Sequence, residues 1–160
     1  MAVEDTFNGA RSGLTLLHAY TNTVAQAIGM EQALALEGKM CETMGAAQGR
    51  MIKEQAGVEE FDAKAAYPLL MNVIEAGFGI LSEVTEESPQ RVVVKVGRCP
   101  VYESAQALGM DAQAIEASCR ASSIRFMDAM AKQLNPNLGY QLAKFRSGAD
   151  AYCEEAIVLA

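Results

Sequence analysis

Apolar residues recur every three or four positions through the first half of the chain. Leu14, Leu17, Val24 and Ile28 share one helical face, and Gly29 supplies a stop. The spacing predicts a second helix from about Met30 to Gln55, with Leu34, Met40, Met44, Met51 and Ile52 on its apolar side. Gly38, Gly45 and Gly49 fall on roughly one face of that helix, although glycine in a helix costs up to about 1 kcal/mol against alanine. Such a bare strip serves either a close helix crossing or a ligand laid against backbone. A third helix is expected from near Asp62 to Gly77, with Pro68 close to its first turns.

The period then changes from 3.6 to 2. "ILSEVTEE" and "RVVVKVGRC", joined around Ser88-Pro89-Gln90, read as a β-hairpin. "DAQAIEASCRASSIRFMDAMAKQLN" returns to one helix, with Asp111 as N-cap and Ile115, Cys119, Ser122, Phe126 and Met130 along one stripe. "NPNLG" ends it, and "YQLAKFR" and "AYCEEAIVL" form a second hairpin across "SGAD". Paired strands with separate helices predict an α+β fold: an antiparallel sheet of about four strands covered by helices. We read residues 1–160 as one domain, helical over 1–77 and hairpin–helix–hairpin over 78–160.

Composition narrows the function more by exclusion than by assignment. A net charge of −7 and a pI near 4.7 argue against nucleic acid, which is held by clustered Lys and Arg. No stretch reads as a membrane span, and the N-terminus lacks the basic and then apolar order of a signal peptide. Four cysteines without an export signal are expected as reduced thiols in a cytoplasmic protein. Nine methionines and no tryptophan indicate an adaptable core, compatible with a homo-oligomer.

Candidate chemistry centres on three thiols. Cys119 lies on the helical stripe that should face the sheet, and Cys153 alternates in phase with Ile157 and Leu159, toward the helices. Cys99 closes a strand just before Pro100, which holds it extended. A helix starting near Tyr102 should bring its N-terminal amides close, lower the thiol pKa and attract an anion. Glu103, in the first turn of that helix, is then a proton carrier for the same cleft, or simply a favourable N-terminal acid. Cys41 belongs to the methionine-rich helix and should pack there. Three readings of the thiols stay open: small buried hydrophobes, a nucleophile, or a three-cysteine metal site. The metal reading is the weakest, because no C-x-x-C pair exists; we expect no metal and no cofactor.

The pattern Cys99-x3-Glu103-x4-Leu108-Gly109, Ser118-Cys119, Asn135-Pro136 and Cys153 resembles the L-2-amino-thiazoline-4-carboxylic acid hydrolase family over roughly residues 90–160. That resemblance implies hydrolytic opening of a C–N bond in a cyclic amidine bearing a carboxylate, yielding a carbamoyl amino acid. On that reading Cys99, Glu103, Cys119 and Cys153 are the catalytic candidates. Arg98, Arg120 and Arg146 are the guanidinium candidates for the substrate carboxylate, and Tyr102 and Tyr152 flank two of the thiols as hydrogen-bond donors. The chain departs from the family pattern in reading Arg120-Ala121-Ser122-Ser123 after its middle cysteine, and Tyr152 and Glu154 around its last. Those changes remove a histidine and an aspartate, the natural general bases. The one histidine, His18, lies on an apolar helix and reads as a hydrogen-bonded structural residue. Alternation turns Glu154 away from Cys153.

The same order of elements also resembles vinyl-reductase-type domains that bind small hydrophobic molecules. There the glycine strip and methionines would line an apolar pocket, with no bond broken.

Overall fold

The computed structural model describes residues 3–57, 59–149 and 151–160. Its elements run α1 (Val3–Ile28), α2 (Met30–Ala56), α3 (Ala63–Phe78), β1 (Ser82–Glu87), β2 (Arg91–Val96), α4 (Pro100–Ala107), α5 (Ala112–Ala121), α6 (Ser123–Leu134), β3 (Leu138–Lys144) and β4 (Cys153–Leu159). The strands form one antiparallel sheet in the order β1-β2-β4-β3, so the α+β expectation holds and the two hairpins meet through β2 and β4. The turn expected across 147–150 includes Asp150, which lies outside the described residues.

Local chemistry explains the boundaries. The Asp62 carboxylate accepts from the Ala65 amide at 2.7 Å and that of Asp111 from the Ala114 amide at 2.8 Å, satisfying otherwise unpaired first-turn N–H groups of α3 and α5. α3 ends at Gly79, whose φ is 65° and where a Cβ would come within 2.7 Å of the Phe7 backbone nitrogen; only glycine fits.

One expectation needs correction. Residues 111–135 do not form a single helix: the chain breaks at Ser122, whose φ of −108° and ψ of −80° are not helical. Its hydroxyl donates to the Ser118 carbonyl at 2.7 Å, the backbonding by which serine competes with a helix ladder. The break also divides the expected stripe. Ile115 packs with Tyr102 and Ala105 of α4, whereas Met127 and Met130 of α6 join the main core under the sheet.

That core is built from alternate strand residues. Val92, Val94 and Val96 of β2, Tyr140 and Leu142 of β3, and Cys153 and Ile157 of β4 meet Leu70 and Ile74 of α3 and Met127, Met130 and Leu134 of α6. Each fully buried side chain of this size contributes roughly 1.5–3 kcal/mol relative to an exposed one. α6 lies between the sheet and α2. The glycine strip allows this crossing: a Cβ at Gly45 would lie 2.1 Å from the Phe126 carbonyl oxygen, at Gly49 2.5 Å from that of Met130, and at Gly38 2.7 Å from that of Ala121. The strip therefore serves a helix crossing.

Candidate functional site

A cavity of about 210 Å³ opens where α1, α2, α3, the α5–α6 break and one end of the sheet converge. Leu14 and Leu17 come from α1, Met40, Cys41 and Met44 from α2, Met71, Ile74 and Phe78 from α3, and Ile124, Phe126 and Met127 from α6. Cys99, Val101, Cys119, Ser122, Ser123, Tyr140 and Glu155 complete much of the remaining wall. Among the described residues, no Lys, Arg or His lines it.

The polar end is a carboxyl–phenol pair. Glu155 stands on β4 in phase with Cys153 and Ile157, so it points toward the helices, and the Tyr140 hydroxyl of neighbouring β3 donates to it. Burial pushes the Glu155 carboxyl above its ordinary value, while the Tyr140 hydrogen bond and nearby Arg146 pull it back. Burial, reinforced by the Glu155 charge, drives the Tyr140 phenol well up, so it stays protonated and donating. Glu155 keeps some accessible surface because it faces the cavity.

Cys99, Cys119 and Cys153 come together in one apolar cluster, as periodicity indicates; Cys99 and Cys119 line the cavity and Cys153 is buried beside them. Cys41, expected only to pack within its helix, is a third thiol lining the cavity, with Cys99 and Cys119. The expectation of an activated Cys99 is corrected. Burial raises the thiol to about 11, outweighing the Tyr102 and Val101 amides that act in the predicted direction. Burial likewise raises Cys119 well above its ordinary value, with Glu155 and the two neighbouring thiols adding to the effect, and brings Cys41 to about 11. Among the described residues, no group of three or more His, Cys, Asp or Glu is placed to hold a metal ion.

Glu103 does not share the cavity with Cys99. Its carboxylate accepts from Arg98 Nε at 3.0 Å and from Arg11 Nη1 at 3.3 Å, on the surface where α1 meets α4. α4 starts at Pro100, two residues before its expected beginning, which leaves Glu103 in the first turn but turned outward. Arg98 also holds Glu4 at 2.7 Å and lies over the Phe7 ring. Arg120 faces Glu116 at 2.9 Å and the Leu142 carbonyl at 3.3 Å, also away from the cavity.

Arg146 is buried behind the thiols. It donates from Nε to Cys153 Sγ at 3.4 Å and from Nη2 to the Val96 carbonyl at 3.1 Å and to that of Gly97, with its guanidinium 4.6 Å from the centre of the Tyr102 ring. Tyr102 is thus packed, its hydroxyl accepting from Gln106 at 3.2 Å. Tyr152 lies elsewhere, its ring between the Lys95 and Lys144 ammoniums at 4.7 and 4.4 Å. Those lysines are cross-strand neighbours of Glu154, on the side of the sheet opposite Cys153 and Glu155. His18 is buried, with Nδ1 3.4 Å from the Ser118 hydroxyl.

The family model described as L-2-amino-thiazoline-4-carboxylic acid hydrolase matches residues 10–146. No curated protein matches the chain in sequence. Among solved structures, the phenol-responsive sensory domain of the transcription activator PoxR, determined with phenol, is similar in fold. Its TM-score is 0.67 at 12% identity, over 91% of this chain and 74% of that one. A trafficking protein particle complex subunit 3 from Naegleria fowleri, covalently bound to palmitic acid, gives a TM-score of 0.56 at 12% identity, over 92% of this chain and 95% of that one.

Proposed function

The chain belongs to the L-2-amino-thiazoline-4-carboxylic acid hydrolase family, and we propose that its central cavity binds a small, mainly apolar ring compound with a single hydrogen-bonding head. The observation that carries this reading is the lining: hydrocarbon, thioether and thiol walls, with Glu155 and Tyr140 as the polar receiver at one end. A head-group N–H or O–H would donate to the Glu155 carboxylate while the ring lies among Leu14, Met71, Ile74 and Phe78. An apolar cavity of about 150 Å³ takes benzene, so about 210 Å³ suits one substituted ring. The phenol and palmitate of the two similar structures, both mainly apolar molecules, support a binding role for this fold. A carboxylate-bearing ligand fits less well, because the cavity wall carries an acid and no cation.

Calorimetry on the full chain tests the reading. About −1 kcal/mol per non-hydrogen atom for so small a ligand gives phenol a Kd on the order of 10 μM. Glu155→Gln should weaken phenol about tenfold and leave toluene, which has no head group, unaffected. Absence of binding by any such ring compound would overturn it.

Family membership and the presence of Glu155 and three thiols on one cavity favour a second reading, hydrolysis of a cyclic amidine at the same place. The protonated amidine would pair with Glu155, which would then take a proton from the attacking water as the ring C–N bond opens. Incubation with 2-amino-thiazoline-4-carboxylate should then yield a product one water heavier by mass spectrometry, and Glu155→Gln should abolish it. Unchanged substrate would leave the binding reading alone.

A further inference from the structure

A second cavity, of about 190 Å³, lies between α1 and α2, beyond a wall of Leu17 and Met40 that also borders the central cavity. Leu17, Val24 and Leu36 form its sides, and the 68% exposed Tyr20 stands beside them. Its buried lining includes Thr21 and Glu37. Glu37 is only 5% exposed, yet its two oxygens are treated unequally. Oε2 accepts from the Thr21 hydroxyl at 2.9 Å, and Oε1 has no hydrogen-bond partner. The Ser122 hydroxyl is close enough to favour the ionised carboxylate, but it donates to the Ser118 carbonyl at 2.7 Å. Among the described residues, no Lys, Arg or His lines this groove.

A buried carboxyl oxygen without a donor is a costly arrangement that a ligand can relieve. We propose that this groove is a second binding site, for a small organic ammonium with an apolar body. On a turn of the Glu37 side chain, which is closed off in the unliganded groove, the ammonium N–H donates to Oε1, the body lies against Leu17, Val24 and Leu36, and the Tyr20 ring faces the cation. Three features select a cation over a neutral molecule. The acceptor is a carboxyl group, the aromatic face attracts positive charge, and the groove supplies no cation of its own. A net charge of −7 draws such ligands toward the chain.

Calorimetric titration of the full chain with phenethylamine and with its uncharged counterpart 2-phenylethanol tests the site. The amine should bind at least about tenfold more tightly than the alcohol, and Glu37→Gln should remove that preference. Leu36→Trp, at a position 59% exposed where folding is not at stake, should block the amine by filling the groove. Glu155→Gln should leave the Glu37-dependent preference for the amine unchanged, whatever it does to ring compounds in the central cavity. Equal affinity for amine and alcohol, or a preference that survives Glu37→Gln, would overturn the proposal. Loss of amine binding in Glu155→Gln would overturn it too, placing the amine in the central cavity and leaving the reading of that cavity standing. Should Glu37→Gln fail to fold, Leu36→Trp decides: amine binding that persists in it refutes the groove.

Discussion

Burial pushes the Cys99 thiol up to about 11, against the pull of two backbone amides at the start of α4. At pH 8 roughly one such thiol in a thousand is ionised, against about one in four for a free cysteine. Greater nucleophilicity of a high-pKa thiolate returns about tenfold of that difference. Iodoacetamide should therefore label Cys99 roughly 20-fold more slowly than free cysteine at pH 8, with the rate rising until about pH 11. Peptide mass spectrometry over a pH series measures this, and a plateau near pH 8 would contradict a desolvated thiol. The positions of the thiols were legible in the sequence, since periods of 3.6 and 2 turn Cys119 and Cys153 inward, but their acidity depends on how completely neighbouring elements exclude water. The carboxylate of the site was missed in favour of the motif glutamate, although the sequence carries a signal for it. Glu155 alternates in phase with Cys153 and Ile157, and a charge on the apolar phase of a strand is the signal that marks it. Glu103 drew attention by closeness in sequence to Cys99, while its geometry was decided by Arg11, a partner 92 positions away.

Helix pairing turns on missing side chains. A Cβ at Gly45 meets the Phe126 carbonyl at 2.1 Å, and backbone cannot step aside as a flexible side chain can. Gly45→Ala is expected to cost about 3 kcal/mol in urea unfolding, because α2 and α6 must separate. Gly9 and Gly13 of α1 are exposed with nothing within 4 Å of a Cβ, so alanine at each should gain up to about 1 kcal/mol. Equal effects at Gly45 and Gly9 would contradict the crossing. The strip was readable from the sequence as a face, and the identity of what crosses it was not, because that depends on where a segment 80 residues downstream returns. The break at Ser122 was hidden for a related reason. Ser122 and Ser123 fit a helical pattern well enough, and the Ser118 carbonyl that the hydroxyl captures is itself part of that pattern.

For the molecule as a whole, three buried titratable groups pull the stability profile in opposite directions. Burial raises the Glu155 and Glu37 carboxyls, so the stability they confer is complete below the unfolded value near 4.5 and is lost as pH rises through their folded values. Burial lowers His18, despite a contribution from the Val101 carbonyl, so its share is present above the unfolded value near 6.5 and is lost as pH falls through the folded one. His18→Gln should move the pH of maximum Tm downward, and Glu155→Gln or Glu37→Gln should move it upward. Thermal melts across pH 4–8 check both signs, and a shift in the same direction for both classes would refute this assignment. The antiparallel sheet itself was legible, because two alternating runs each bracket a turn and hairpins pair with themselves; that β2 rather than β1 would join β4 follows from burial of Val92, Val94 and Val96, the more apolar strand taking the centre. α6, clamped between the sheet and α2 by contacts reaching down to backbone, has a further consequence. The central cavity has one hard wall and one soft one. Its α6 backbone cannot retreat without parting two layers, whereas the Met40, Met44 and Met71 side chains on α2 and α3 can change rotamer at little cost. Guests of different size are therefore accommodated by the methionines alone, so related chains can change what they hold by exchanging those three side chains while the frame stays fixed.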